Sequence, residues 1–130
     1  MDKINYKIPL VYIAGPYRSE SAWGIEQNIQ VARRAGAEVA CLGAYPVIPH
    51  ANTSHFEGLL PDHLPDDEFW LKATLALMMK CDAVKTIDGW EKSFGACQEC
   101  KVAKEMSIPV FHSIVSLQPW INRWIERNGQ

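Results

Sequence analysis

The stretch Pro9-Leu10-Val11-Tyr12-Ile13-Ala14-Gly15-Pro16, PLVYIAGP, decides the fold of this chain. Its continuous apolar run is typical of a strand buried on both faces, and Gly15-Pro16 ends the run in a tight loop. Strands of this kind belong to parallel sheets covered by helices. We therefore expect the loop after Ala14 to carry functional residues, as loops at such strand ends do in α/β proteins.

The rest of the chain alternates between helical and strand patterns. Strands are predicted over Pro9–Ala14, Tyr45–Pro49, Asp82–Ile87 and Ile108–His112. Helices are predicted over about residues 21–42, 69–79 (after an acidic first turn at 66–68) and 94–106, with an amphipathic tail helix at 120–125 that docks on the body or on a second subunit. This alternation predicts an α/β fold: a single-domain, Rossmann-like three-layer sandwich with a mostly parallel sheet of four or five strands.

The overall composition limits the classes of partner. The 130 residues suit one domain, residues 1–130, and the 13 basic against 15 acidic residues leave a net charge of -2 with no basic block. We therefore expect a small-molecule partner and neither nucleic acid nor membrane. The N-terminal apolar run is too short for a signal peptide, so we expect a cytoplasmic protein whose four cysteines are thiols.

Three loops are predicted to meet beyond the carboxyl ends of the strands, where ligands bind in sheets of this kind. They cover residues 15–20, 49–60 and 88–93. The second belongs to a long irregular segment, residues 50–65, and long loops in compact domains usually bind something or act as lids.

A glutamate lies on the apolar side of the helix predicted after the third loop. Glu99 is four residues after Gly95 and four before Ala103, so the three share one helix face. A carboxylate on such a face must be paired or hydrogen-bonded, because burying it alone is costly. Spacing alone leaves two interpretations open: a structural glutamate paired with a cation or hydroxyl, or a functional carboxylate.

The motifs together resemble a known superfamily. VYIAGPYR at residues 11–18, with S-x-G-x-x-x-E at Ser93, Gly95 and Glu99, resembles the nucleoside 2-deoxyribosyltransferase superfamily, which includes the 2′-deoxynucleoside 5′-phosphate N-hydrolases. The wider pattern adds PVIPHANT, CDAV and GWEKS-x-G, and is similar to an uncharacterised bacterial and phage branch of that superfamily. The resemblance spans roughly residues 9–112.

The resemblance implies a nucleophilic carboxylate at Glu99. It would attack the anomeric carbon of a (deoxy)ribosyl group through an oxocarbenium-like transition state and form a glycosyl-enzyme. The family's strand tyrosine, which hydrogen-bonds the carboxylate, matches Tyr12, although a buried strand tyrosine is also common in cores. No cofactor and no metal are implied, and a homo-oligomer, dimeric or dimer-based, is expected because the family completes its site across a subunit interface.

The resemblance also implies residues that hold the substrate. Arg18 matches an arginine that binds the 5′-phosphate, and Ser93 matches the serine of the monophosphate hydrolases, where the transferases acting on unphosphorylated nucleosides carry an acid. Ser93 is equally suited to cap a helix, and Arg18 to lie in solvent. The full predicted set of substrate-binding residues is Gly15, Tyr17, Arg18, His50, Asn52, Asp88, Ser93 and Gly95.

One position departs from the family pattern. Family members carry an aspartate that assists protonation of the departing base, and this sequence has Thr74 there. A hydroxyl is a poor acid at neutral pH. Three alternatives stay open: an acid from the loops (Asp66, Asp67, Asp88 or His50) substitutes, the base leaves less assisted, or the protein is a catalytically weak nucleotide-binding or sensing module.

Cys97 and Cys100 form a C-x-x-C pair, which raises the alternative of a redox dithiol. Redox pairs lie at the start of a helix, where the dipole lowers the thiol pKa, whereas this pair lies deeper in the predicted helix. A zinc site needs two more ligands, and Cys41, Cys81 and His112 are scattered in the sequence. Packing on the apolar side of the helix is therefore the role we expect for Cys100.

Overall fold

The sheet is parallel, as the first strand predicts. The computed structural model describes residues 4, 6–62 and 64–129, and within them four strands form one sheet: β1 (Leu10–Ala14), β2 (Tyr45–Val47), β3 (Ala83–Thr86) and β4 (Val110–Phe111). The order across the sheet is β2-β1-β3-β4, and each neighbouring pair is parallel. The predicted Rossmann-like α/β fold is confirmed.

Five α-helices connect and follow these strands within the same described residues: α1 (Ala22–Cys41), α2 (Pro49–Asn52), α3 (Asp67–Met78), α4 (Phe94–Glu105) and α5 (Ile114–Asn128). Each of the four longer helices begins after a side chain that accepts a hydrogen bond from a backbone N–H of the first turn. These capping residues are Ser21, Asp66, Ser93 and Ser113.

The predicted element positions are confirmed, with two differences in detail. The tail helix is longer than the predicted residues 120–125, because it begins at Ile114 and continues through Pro119. The long loop also contains local structure, since α2 and a 3-10 turn at Phe56–Gly58 lie within it.

Helices cover both faces of the sheet, which gives the predicted three layers. Val11 and Ile13 of β1 point to the core shared with α1 and α5, whereas Tyr12 and Ala14 point to the core shared with α3 and α4. This alternation is the ordinary period of a strand. The tail helix docks on the body of the same chain, because Leu117 and Ile121 are buried in the first of these cores.

The strand order places a crevice between β1 and β3. After β1 the chain passes to one side of the sheet to form β2, and then returns to the other side for β3 and β4. The loops after β1 and β3 therefore diverge, and a ligand crevice is expected at this switch point. No helix in residues 4, 6–62 and 64–129 is long and apolar enough to cross a membrane.

Candidate active site

A cavity of about 700 Å³ lies beyond the carboxyl ends of β1 and β3. This volume is in the range of small-molecule sites. Its wall is formed by four segments: the end of β1 and the loop after it (residues 12–18), the segment of α2 and the 3-10 turn (49–60), the first two turns of α3 (67–74), and the start of α4 with the residues before it (92–99).

Tyr12 and Glu99 meet at the closed end of this cavity. Tyr12 is fully buried and Glu99 is 6% exposed, and the phenol donates a short hydrogen bond to the carboxylate. Burial raises the pKa of Glu99 to about 7, while the hydrogen bond from Tyr12 and the nearby Thr74 hydroxyl act in the opposite direction. Burial also raises the pKa of Tyr12, and the neighbouring Glu99 charge adds to this, so the phenol stays protonated.

Local structure explains why these two side chains converge. Tyr12 lies on the face of β1 that packs against α3 and α4. Glu99 lies on the buried face of α4 with Ala96 and Ala103, whose small side chains let the helix approach the sheet closely. The predicted helix face is therefore correct, and its carboxylate is satisfied by a hydroxyl rather than by a cation.

Thr74 lies beside this pair, on α3. Its hydroxyl donates to the Leu71 carbonyl at 3.2 Å and is also close enough to lower the pKa of both Tyr12 and Glu99. Thr74, where the resemblance to the nucleoside 2-deoxyribosyltransferase superfamily implies an aspartate, therefore lines the cavity with a hydroxyl in place of an acid.

Gly15 and Gly95 line the cavity for different reasons. A Cβ on Gly15 would lie 2.1 Å from Cγ1 of Ile87, so the close approach of the two loops requires glycine there. A Cβ on Gly95 would meet no atom within 4 Å. Gly95 thus keeps open space at the start of α4, next to the cavity.

Two side-chain bridges cross the solvent side of the cavity and join the loop after β1 to the opposite wall. Tyr17 donates to Glu57 at 2.5 Å, and the Arg18 guanidinium binds both carboxylate oxygens of Asp67. We call these four residues the rim. Arg18, expected to bind phosphate or to lie in solvent, therefore already holds an anionic partner.

His50 is 5% exposed and lines the cavity behind the loop after β1. Its Nε2 lies 3.1 Å from the Gly15 carbonyl oxygen and 2.9 Å from that of Pro16, so Nε2 carries the proton and donates it to them. Nδ1 has no hydrogen-bond partner among the described residues. Burial lowers the pKa of His50, which keeps the imidazole neutral.

Ser93 both caps α4 and faces the cavity. Its hydroxyl oxygen accepts from the Ala96 N–H at 3.2 Å, which leaves its own proton free for a ligand. Lys92, beside it, also lines the cavity. The two functions suggested for Ser93 by the sequence are geometrically compatible.

Two predicted substrate-binding residues are not brought to the cavity. Asn52, the last residue of α2, is exposed and is not part of the wall. Asp88 is also exposed and lies near Lys85. Burial lowers the pKa of Lys85, and the carboxylates of Glu38 and Asp88 oppose this shift. The turn at Gly89, with φ of 88°, separates Asp88 from the residues that reach the wall.

The wall contains further residues that the sequence analysis did not assign to substrate binding. The charged and aromatic ones are Glu57, Asp67, Glu68, Lys92, Phe56, Trp70 and Phe94. The position of Lys92 next to Ser93 in the sequence could have predicted that Lys92 lines the cavity. Phe94 is the first residue of α4, and the others come from the long loop and from α3, where the sequence pattern does not indicate which side chains face inward.

The C-x-x-C pair does not have the environment of a redox dithiol. Burial raises the pKa of Cys100 to about 11, and the Cys97 thiol donates weakly to the carbonyls of Trp90 (3.5 Å) and Glu91 (3.4 Å). Both cysteines are free. A raised thiol pKa makes a poor nucleophile at neutral pH, which favours the packing role for Cys100.

Comparison with known proteins identifies the family. Residues 9–113, from β1 through β4, match the family described as Domain of unknown function (DUF7768). The chain belongs to this family. The matched DUF7768 segment contains every residue of the cavity wall and ends just before α5.

The fold of this DUF7768 protein is similar to that of a solved enzyme. The structure of 2-deoxyribosyltransferase from the psychrotolerant bacterium Bacillus psychrosaccharolyticus aligns over 78% of this chain and 69% of its own, with a TM-score of 0.55 and 19% identity. At this identity the likeness concerns the fold, and it agrees with the superfamily resemblance at that level. No curated protein matches the sequence.

Proposed function

We propose that this DUF7768 protein cleaves or transfers the N-glycosidic bond of a (deoxy)nucleoside 5′-monophosphate or nucleoside. One observation carries the proposal: the buried Glu99 carboxyl, bonded to Tyr12, forms part of the wall of a cavity sized for such a ligand. The fold likeness to a 2-deoxyribosyltransferase is consistent with this chemistry.

Glu99 acts as the nucleophile in this proposal. In its ionised form it attacks C1′ as the bond to the base breaks, and it holds the sugar as an ester until water or a second base resolves the intermediate. The Tyr12 hydroxyl orients the attacking oxygen and stabilises its charged form. A pKa of about 7 leaves a substantial ionised fraction at neutral pH.

The start of α4 is the proposed place for the sugar or phosphate end. Ser93, Gly95 and the first N–H groups of this helix offer hydrogen-bond donors, and Lys92 adds a positive charge. Arg18 contributes only when the phosphate displaces Asp67. Because the Arg18–Asp67 pair is exposed, that exchange costs little.

The second candidate function is a nucleotide-binding or sensing module, which the hydroxyl of Thr74 in place of an acid favours. Incubation with a panel of nucleotides and nucleosides, followed by detection of released base, separates the two. Base release by the natural chain, abolished in Glu99→Gln while calorimetric binding persists, supports the enzyme. Tight binding without release by either protein supports the sensor.

We also propose that the chain works as a single-domain cytoplasmic homo-oligomer. Trp120 and Ile125 pack on the chain's own core, which leaves exposed apolar side chains near the cavity, such as Phe94 (71% exposed), as the better candidates for an interface. Light scattering of the natural chain and of Phe94→Ser tests this, since a lower mass for the variant is expected. A natural chain that is monomeric contradicts it.

A further inference from the structure

Most carboxyl groups of the cavity wall already have a donor. Glu57 accepts from Tyr17, Asp67 from Arg18, and Glu68 pairs with Lys72 at 2.7 Å. The Tyr17 hydrogen bond lowers the pKa of Glu57, and the Arg18 hydrogen bond lowers that of Asp67. These two groups are therefore ionised at neutral pH and have no proton to give to a departing base.

The other candidates for a general acid already take part in hydrogen bonds within the protein. Asp66 is exposed and accepts from the Phe69 N–H at 2.9 Å as the cap of α3. The His50 N–H is donated to two backbone carbonyls, and the Thr74 hydroxyl is bonded to Leu71. Among the described residues of the wall, no carboxyl or imidazole other than the proposed nucleophile Glu99 is left to protonate a leaving base.

The same wall carries carboxyl groups and several aromatic rings. Of its four carboxyl groups, Asp67 is paired with Arg18 and Glu68 with Lys72, which leaves Glu57 and Glu99, with Lys92 as the other cationic side chain of the described wall. The aromatic rings of the wall include those of Tyr12, Tyr17, Phe56, Trp70 and Phe94. Aromatic faces and carboxylates both attract a cation, and a flat cationic ring gains from stacking as well.

We propose that the leaving group of the substrate is a cationic heteroaromatic ring, joined to C1′ through a positively charged ring nitrogen, as in an N-glycosylated pyridinium or a ring-alkylated purine. The inference rests on the proposed function and names its substrate class. It follows from the cavity: the described wall holds a nucleophile, and carboxylates and aromatic rings that attract a cation, but no carboxyl or imidazole besides the nucleophile that is free to act as a general acid.

The reaction balances without an acid. A lone pair of the Glu99 carboxylate forms the bond to C1′ while the C1′–N bond breaks, and its electron pair goes to the ring nitrogen, which becomes neutral. Water then attacks C1′, the ester bond to Glu99 breaks, and the carboxylate is restored. The products are a neutral base, the free sugar and one proton. A neutral base would instead have to leave as an anion or take up that proton.

A matched pair of substrates tests the inference. 7-Methylguanosine 5′-monophosphate and guanosine 5′-monophosphate differ by one methyl group and one charge, and nicotinamide mononucleotide supplies a pyridinium. We expect kcat/KM to be at least about 100-fold higher for the two cationic nucleotides, the scale of a missing general acid, after correction for uncatalysed hydrolysis. In weak buffer, one proton is released per nicotinamide freed from nicotinamide mononucleotide and none per guanine freed from guanosine 5′-monophosphate.

Variants at Thr74 provide the internal control. Thr74→Asp places an acid beside Glu99, so we expect it to reduce the preference at least about tenfold by raising turnover of the neutral nucleotide, while Thr74→Val keeps the preference. His63 lies outside the described residues, and we expect His63→Gln to leave the preference unchanged.

The possible results distinguish failure of the cationic-substrate hypothesis from failure of the proposed glycosidase function. Equal turnover of the methylated and unmethylated nucleotides, or loss of neutral-base turnover in His63→Gln, overturns the inference and leaves the proposed glycosidase intact. Absence of base release from all three nucleotides and from the broader nucleotide panel overturns both.

Discussion

The phenol of Tyr12 donates a hydrogen bond to the carboxylate of Glu99, 87 positions later in the chain, with both side chains buried. The bond offsets only part of the cost of burying the carboxyl, because the pKa of Glu99 still lies at about 7. A carboxyl group in a cavity whose pKa is shifted by burial and by a specific hydrogen-bond partner is a candidate functional group.

Replacing Glu99 by Gln should stabilise the protein, and more at alkaline than at acid pH. The pKa of Glu99 is raised from 4.5 to about 7 on folding. Burial of its charge therefore lowers the free energy of unfolding fully above about pH 7 and not at all below pH 4.5. The expected gain at about pH 8.5 is up to about 3 kcal/mol, with little gain at about pH 4. Urea unfolding at both pH values measures it, with exposed Glu105→Gln on the same helix as control. Equal gains at both pH values would contradict the burial of a titrating carboxyl.

Base release should increase with pH through about 7, as Glu99 ionises. Tyr12→Phe removes a hydrogen bond that lowers the pKa of Glu99, so the midpoint of this rise should move to higher pH and the rate at neutral pH should fall. The measurement is kcat/KM against pH for the natural chain, Tyr12→Phe and the exposed-strand control Tyr45→Phe. An unmoved midpoint in Tyr12→Phe would show that the phenol does not act on the carboxylate.

Two substitutions at Ser93 separate its capping and binding functions. Ser93→Ala loses the cap of α4 and should cost about 1 kcal/mol of unfolding free energy. Ser93→Asp keeps a capping oxygen but adds a negative charge, so stability should be retained. We expect the kcat/KM ratio of nucleoside 5′-monophosphate to nucleoside to fall roughly tenfold, as charge repulsion of about 1.4 kcal/mol would give. If the ratio does not change in Ser93→Asp, the substrate phosphate does not bind at the start of α4.

Asp67→Asn should free the Arg18 guanidinium for an anionic ligand. We expect a lower KM for nucleoside 5′-monophosphates, an unchanged KM for nucleosides and little change in the melting temperature, since the pair is exposed. Glu68→Gln is the matched control, because it removes the same charge from the neighbouring wall residue without contacting Arg18. If both variants lower KM equally, the lower KM results from the loss of one negative charge from the wall and not from the release of Arg18.

Cys97→Ser should leave base release and its insensitivity to reducing agents unchanged. Cys100, its partner in the motif, has a pKa raised to about 11 by burial, so the pair is poorly suited to thiol exchange at neutral pH. Assays of both proteins with and without dithiothreitol check this. The redox alternative would be supported if the activity of the natural chain depended on the reductant and the activity of Cys97→Ser did not.

The fold was predictable because local signals agree with it. The apolar run of β1, the helical spacing of apolar residues in α1 and the acidic first turn of α3 each indicate the element that forms there. The tail helix was predicted too short because Pro119 interrupts the pattern, although the helix continues through it and is held by buried Leu117 and Ile121. Packing outweighs the lost backbone hydrogen bond in this case.

The site was predictable only in part. Strand alternation and helical spacing place Tyr12 and Glu99 on inward faces, so their positions follow from periodicity once the motif is seen. The rim does not follow, because Glu57 lies in an irregular segment without a period, and the partner of Arg18 depends on how that segment folds back. Asn52 and Asp88 show a further limit of the sequence: their loops reach the cavity, while these two residues lie outside its wall.

The rim bridges also bear on how such proteins diversify. Tyr17, Arg18, Glu57 and Asp67 meet through side chains on the solvent side of the cavity, whereas the buried Tyr12–Glu99 pair is built into β1 and α4. Substitutions among these four outer residues should therefore change what the cavity admits without altering the Tyr12–Glu99 pair. Under the proposed function, access to the cavity and the reaction at Glu99 could therefore be altered by separate substitutions.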